Sequence, residues 1–140
     1  EWVVRDFMSV DLICVNPKEV TQVWPYAGDM IRAAIERTDL GDFEYIEENV
    51  MAGNQLLWLA VSDHIEAAAT THLSRNVCTI TACSGNQRER WLPLLAEIEK
   101  YAKNEGCHTM RLGGRKGWER VLNGYRVEHV ILEKILDGHQ

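Results

Sequence analysis

The chain is poor in proline, with three among 140 residues, and no stretch combines proline, glycine and serine into a linker. Internal repeats and low-complexity tracts are also missing, so the expectation is one domain spanning residues 1–140. The four cysteines, Cys14, Cys78, Cys83 and Cys107, form no CxxC pair and have no histidine at zinc-site spacing. A zinc or redox protein is thereby excluded, no metal is expected, and reduced, buried thiols are the reading. No uncharged run reaches the roughly 20 apolar residues that a membrane span needs, and the opening EWVVRDF is not a basic segment leading into an apolar one. Positive charge is short as well: 15 Lys and Arg face 21 Asp and Glu, a net charge of −6. That balance disfavours binding to a phosphate backbone. These absences describe a soluble, cytoplasmic protein with no nucleic-acid or membrane partner. The chain does not begin with Met, which points to an N-terminus trimmed from a longer one.

What is present is ordinary globular composition, 46% hydrophobic and 26% charged. A chain this long buries roughly 68–70% of its unfolded surface and needs no covalent tether. The charge is unevenly spread. Residues 36–66 hold eight acids and one base (−7), whereas residues 86–126 hold nine bases and five acids (+4). The acidic stretch can draw in a cation and the basic one an anion, or both are simply solvated faces.

Periodicity supplies the elements. A short strand over Asp11–Val15 closes at Asn16-Pro17, which opens a helix; a kink is expected at Pro25, with a second segment after it carrying Tyr26, Met30, Ile31, Ala34 and Ile35. Phe43, Ile46, Val50 and Met51 stripe a short helix with Glu44, Glu47 and Glu48 on its wet side. Strands over Leu56–Val61, Ala67–Leu73 and Val77–Cys83 read as an antiparallel meander. The strongest helix is Trp91–Glu105, stopped at Gly106, and Pro93 is placed in its first turn. A strand over Thr109–Leu112, a Gly113-Gly114 break, a short helix around Trp118–Leu122, a Gly124-Tyr125 turn and a last strand from Val127 to about Leu136 complete the chain. The order β-α-α-β-β-β-α-β-α-β indicates an α/β (α+β) mixed sheet covered by helices on both faces.

That order resembles the GNAT superfamily of acyl-CoA-dependent N-acyltransferases over nearly the whole chain. So do the helix from Leu94 to its Gly106-Cys107 exit, the strand Met110-Arg111-Leu112, and the turn Asn123-Gly124-Tyr125, which is similar to the family's Gly-Phe turn. The Trp24-Pro25 helix and the Gly114-Arg115-Lys116-Gly117-Trp118 stretch resemble a divergent GNAT-like group found in bacteriophage genomes. The resemblance implies a GNAT-like fold, acetyl-CoA as cofactor and an amine acceptor. It also implies a pantetheine-pairing strand here carrying Thr81, Cys83 and Ser84. The family's pyrophosphate loop, Arg/Gln-x-x-Gly-x-Gly/Ala, falls on Asn86, Glu89 and Trp91, so its glycines are lost and a carboxylate stands beside the expected phosphates. Arg88 and Arg90 flank the broken loop and can clamp phosphates through their side chains, or be a solvated helix start.

The usual acid, a tyrosine before the Gly-Phe turn, is replaced by Arg120, which cannot give up its proton but can stabilise a thiolate by charge. For the base, the strand Val77–Cys83 offers no carboxylate, leaving His72, Glu66 or the Glu44, Glu47, Glu48 face. Cys83 has no placeable His and acid partners and is set aside as a nucleophile. Trp118 and Tyr125 among Arg115, Lys116, Arg120 and Arg126 can stack on an adenosine or pack in a core. Two readings stay open: an acetyl-CoA-dependent N-acetyltransferase with a degenerate loop, or a non-catalytic GNAT-fold accessory protein, phage-encoded, with a protein partner. Splayed strands leave edges that a homodimer can cover.

Overall fold

The structure is a computed structural model that describes residues 10–85, 87–114 and 116–137, without the side chains of Arg88, Arg90, Trp91 and Lys116. The chain runs β1 (Asp11–Cys14), a 3-10 turn (Pro17–Glu19), α1 (Val20–Thr38), α2 (Phe43–Met51), β2 (Leu56–Val61), β3 (Ile65–Ser74) and β4 (Val77–Gly85). Then follow α3 (Arg88–Asn104), β5 (Thr109–Leu112) and a 3-10 helix over Lys116–Arg120. One five-stranded sheet has the order β1-β2-β3-β4-β5. Its first four strands are antiparallel and β5 joins β4 in parallel. The expected mixed sheet with helices on both faces is therefore present.

Local chemistry accounts for the element ends. Asn16 accepts from the Lys18 amide at 2.9 Å and Asp42 from the Glu44 amide at 3.0 Å, each a side-chain cap on orphan N–H groups. The exit of α3 is a Schellman motif: Cys107 N–H donates to Ala102 O at 2.9 Å and Gly106 N–H to Lys103 O at 3.1 Å. Gly106 sits there at φ +84°, where any side chain would be strained.

The apolar run of β2 alternates between two cores. Leu57 and Leu59 pack with Ala68 and Ala82 under α1 and α2, where Ile31, Ile35, Ile46 and Val50 cover them. Trp58 and Ala60 face the other way, with Ala69, Cys78 and Ile80 against Leu94, Leu95 and Ile98 of α3. Burial on both faces is why β2 is continuously apolar. The Trp58 indole donates to Thr71 Oγ1 at 2.9 Å and meets Tyr101 edge-on at 5.2 Å. On the opposite face Trp24 donates to Glu47 at 2.7 Å and stacks on Phe43 at 6.0 Å, tying α1 to α2.

Three expectations are corrected. α1 runs through Pro25 as one 19-residue helix instead of two segments. Pro25 faces solvent while Trp24, Ala27, Gly28 and Ile31 stay buried, so packing outweighs one lost backbone bond. α3 starts at Arg88, which puts Pro93 in its second turn; the ring is exposed there, and water can serve the freed carbonyl. The last strand does not form. Residues 126–136 have no regular structure, and the short helix before them is 3-10. The hydrogen bonds of this stretch among the described residues are local, Arg126 to Glu128 and the Val127 amide to Glu119. The stretch pairs with no strand among the described residues, and β propensity alone does not make a strand.

Candidate functional site

The decisive feature is where β4 and β5 part company. Their register runs from Val77↔Thr109 to Ile80↔Leu112 and stops, because Gly113-Gly114 turns the chain away. β4 continues for five more residues, Thr81–Gly85, paired on its β3 side alone among the described residues. The β3 pairing slips at the same place: Thr70 faces Ala82 and Thr71 faces Ile80, so Thr81 is an extra, bulged residue. Thr81 and Ala82 consequently lie on the same, α1 side of the sheet.

A cleft of about 530 Å³ opens beside this free edge. That is within the roughly 300–1,000 Å³ of small-molecule sites. Its walls come from the end of α1 and the loop after it, the start of α2, β4 from Thr79 to Cys83, and the end of β5 with Trp118. Most are apolar. The titratable side chains on the walls are Arg37, Asp42, Tyr45 and Cys83.

Arg37 donates to Ser84 Oγ at 2.8 Å, and among the described residues no carboxylate stands within ion-pair distance of it. It is the single base of the acidic stretch 36–66, brought by the last turn of α1 onto β4. Asp42 is occupied as the cap of α2. Burial pushes the Cys83 thiol up to about 12, against the opposing pull of Arg37, so it is a neutral wall and not a thiolate.

Behind the bulge lies a short relay. Thr70 Oγ1 and Thr81 Oγ1 are 2.6 Å apart, and Thr81 donates to Gln55 Oε1 at 2.7 Å. Gln55 and Thr70 are both buried.

Of the residues the sequence singled out, the structure brings Thr81 and Cys83 to the cleft wall, with Ser84 beside Arg37. Arg88 and Arg90 occupy the first turn of α3, and their side chains lie outside the described residues, as do Trp91's side chain, Asn86 and Arg115. Gln87 gives that turn no side-chain cap, and Glu89 is exposed in the same turn. His72 pairs with Thr79 one strand away and does not line the cleft. Neither does Glu66, which stands 3.9 Å from His64, nor the Glu face of α2, whose Glu47 holds Trp24. Arg120 is exposed on the 3-10 helix, and Tyr125 donates to Glu99 at 2.7 Å, pinning its turn to α3. Sequence reasoning missed Arg37, Asp42, Tyr45 and Gln55. Only Arg37 carried a signal, as the one cation in an acidic run.

No family model matches the chain, and no curated protein matches it in sequence. Solved structures do match in fold. An aminoglycoside acetyltransferase from an uncultured soil metagenomic sample, in complex with sisomicin, superposes with a TM-score of 0.65 at 11% identity over 91% of this chain and 95% of that one. The aminoglycoside N-acetyltransferase AAC(6')-Iy in complex with CoA gives 0.62 at 17% identity, over 96% and 99%. A GNAT family acetyltransferase of Staphylococcus aureus gives 0.59 at 15% identity, over 91% and 99%. This chain has the GNAT fold.

Proposed function

We propose that this GNAT-fold protein is an acyl-CoA-dependent N-acyltransferase using acetyl-CoA and an amine acceptor. The observation that carries the reading is the unpaired β4 edge, Thr81–Gly85, opening on the cleft. A free strand edge leaves backbone groups for an extended, amide-bearing ligand such as pantetheine. The uncapped first turn of α3, three residues past that edge, offers N–H groups to a pyrophosphate. Arg88 and Arg90 stand in that turn, and their charge would offset the Glu89 carboxylate. The match to a fold neighbour solved with CoA supports the same assignment. Acetyl-CoA supplies an activated thioester, whose carbonyl an amine attacks with loss of the thiolate.

The chain's own contribution is positional. The Cys83 and Ile80 side of β4 and the walls of Ile35, Ile46 and Leu95 exclude water from the reacting centre. Asp42 and the acidic stretch around it favour the approach of a cationic amine.

The test is a thermal melt with and without millimolar acetyl-CoA, followed by calorimetric titration. At a hundredfold excess over Kd the ligand stabilises the fold by about 2.7 kcal/mol, several degrees in Tm for a domain of this size. The shift should shrink in an Arg88→Ala/Arg90→Ala double variant. Neither shift nor heat with the wild type refutes the reading and directs the search to protein partners.

A further inference from the structure

Gln55 is 4% exposed, yet it lines the cleft. Its carbonyl oxygen accepts the Thr81 hydroxyl, and no hydrogen bond to its amide NH2 is present among the described residues. No buried side-chain nitrogen or oxygen there lacks a partner, so that NH2 is not sealed in the core, and the residue that carries it lines the cleft. A hydroxyl has one proton. With Thr81 donating to Gln55, the 2.6 Å contact between the two threonines is Thr70 donating to Thr81. Thr81 Oγ1 also stands 3.2 Å from the Thr70 carbonyl oxygen, a longer contact than the 2.7 Å one to Gln55; in this arrangement the Gln55 oxygen is engaged and the NH2 is the free end of the amide.

We propose that Gln55 is a catalytic residue of the acyl transfer, its side-chain NH2 hydrogen-bonding the thioester carbonyl oxygen at the Thr81 bulge. Thr81 and Thr70 are positioning residues that hold the amide. This rests on the acyl-transfer reading of the cleft. As the amine nitrogen bonds to the carbonyl carbon, the carbonyl π pair moves to oxygen and Gln55 stabilises that charge. The pair returns as the C–S bond breaks, the thiolate leaves, and the amine proton passes to solvent. A buried, preorganised donor is worth most at an oxygen gaining charge, because it needs no reorientation in a site of low dielectric.

The experiment is isotope-edited infrared spectroscopy of acetyl-CoA labelled with 13C at its carbonyl, bound to wild type, Gln55→Met and Gln55→Glu, with calorimetry on the same samples. Wild type should shift the carbonyl stretch to lower frequency, and both variants should bind the ligand without that shift. Thr81→Val should lose part of it. Once an acceptor is found, Gln55→Met should lower kcat about 10²–10³-fold with little change in KM. A stretch unmoved in wild type overturns the proposal, as it would if the amide presented its oxygen instead; so does a shift that persists in Gln55→Met. If a variant fails to fold, a downfield change of the wild-type Gln55 side-chain NH2 resonances on adding acetyl-CoA decides the point, and its absence overturns the proposal. Failure of wild type to bind acetyl-CoA at all is a different result, visible in the calorimetry, and removes the acyl-transfer reading itself.

Discussion

Two apolar segments of this chain have opposite fates. Leu56–Val61 is a strand with Leu57, Trp58, Leu59 and Ala60 buried, whereas residues 127–136 are irregular and leave Val127, Val130, Ile131, Leu132, Ile135 and Leu136 exposed. Composition does not separate them, since both are rich in residues that favour strands. Neighbours do. β2 has β1 and β3 at its edges, α1 with α2 over one face and α3 over the other. The later segment's hydrogen bonds among the described residues are local, involving Glu119 and Arg126. A strand is a property of at least two segments, and the same rule makes the candidate site: β4 is whole up to Ile80, then loses one neighbour and becomes a free edge.

Hydrogen exchange tests this contrast most directly. Amides of Leu57–Ala60 and Ala67–Thr71 should be protected by a factor of about 10⁴ or more, while those of residues 128–136 should exchange like an unfolded chain. Protection of the later segment would mean that it has a partner strand in solution. Chemical access should separate β4 from exposed chain in the same sense. With its thiol pushed up to about 12, Cys83 should alkylate roughly 10³-fold more slowly at pH 8 than a thiol of ordinary pKa, and its rate should rise about tenfold per pH unit with no plateau below pH 11. The folded state holds that proton more tightly than the unfolded chain, whose thiol titrates near 9.0. Its contribution to stability is therefore complete below pH 9 and lost as pH rises toward 12. A plateau near pH 9 in the alkylation profile would contradict the burial.

Mutation sharpens the same comparison. Leu57→Ala, at 0% exposure, should cost about 2–5 kcal/mol in denaturant unfolding. Thr71→Val should cost about 1–3 kcal/mol by stranding the Trp58 indole N–H. Leu132→Ala, at 90% exposure, should stay within about 0.5 kcal/mol of wild type. A cost above about 1 kcal/mol there would break the contrast between the two segments.

Much of the fold was legible because it is written in short-range pattern. The meander showed in three strand-forming runs parted by short polar turns, and α3 in its 3.6-residue stripe and Gly106 stop. Pro25 and Pro93 misled, since a proline reports a local cost and says nothing of the packing that offsets it. The last strand misled for the opposite reason, being an apolar run with no packing partner among the described residues. At the site, Thr81, Cys83 and Ser84 followed from the element order and its resemblance to a known family. Gln55 and Arg37 did not. They precede Thr81 and Ser84 by 26 and 47 residues, and no periodicity links such positions.

The sequence by itself determined the class of fold, the places where most elements begin and end, and the acidic and basic halves, because propensity, capping and charge act within a few residues. Tertiary structure decided the rest. Among the described residues, the bulge at Thr81, the free edge beyond Ile80, an arginine without an acidic partner and a buried glutamine on the cleft wall exist only once distant segments meet. Each is a matter of which groups find partners and which do not, and that is settled when the sheet and its two helical layers close.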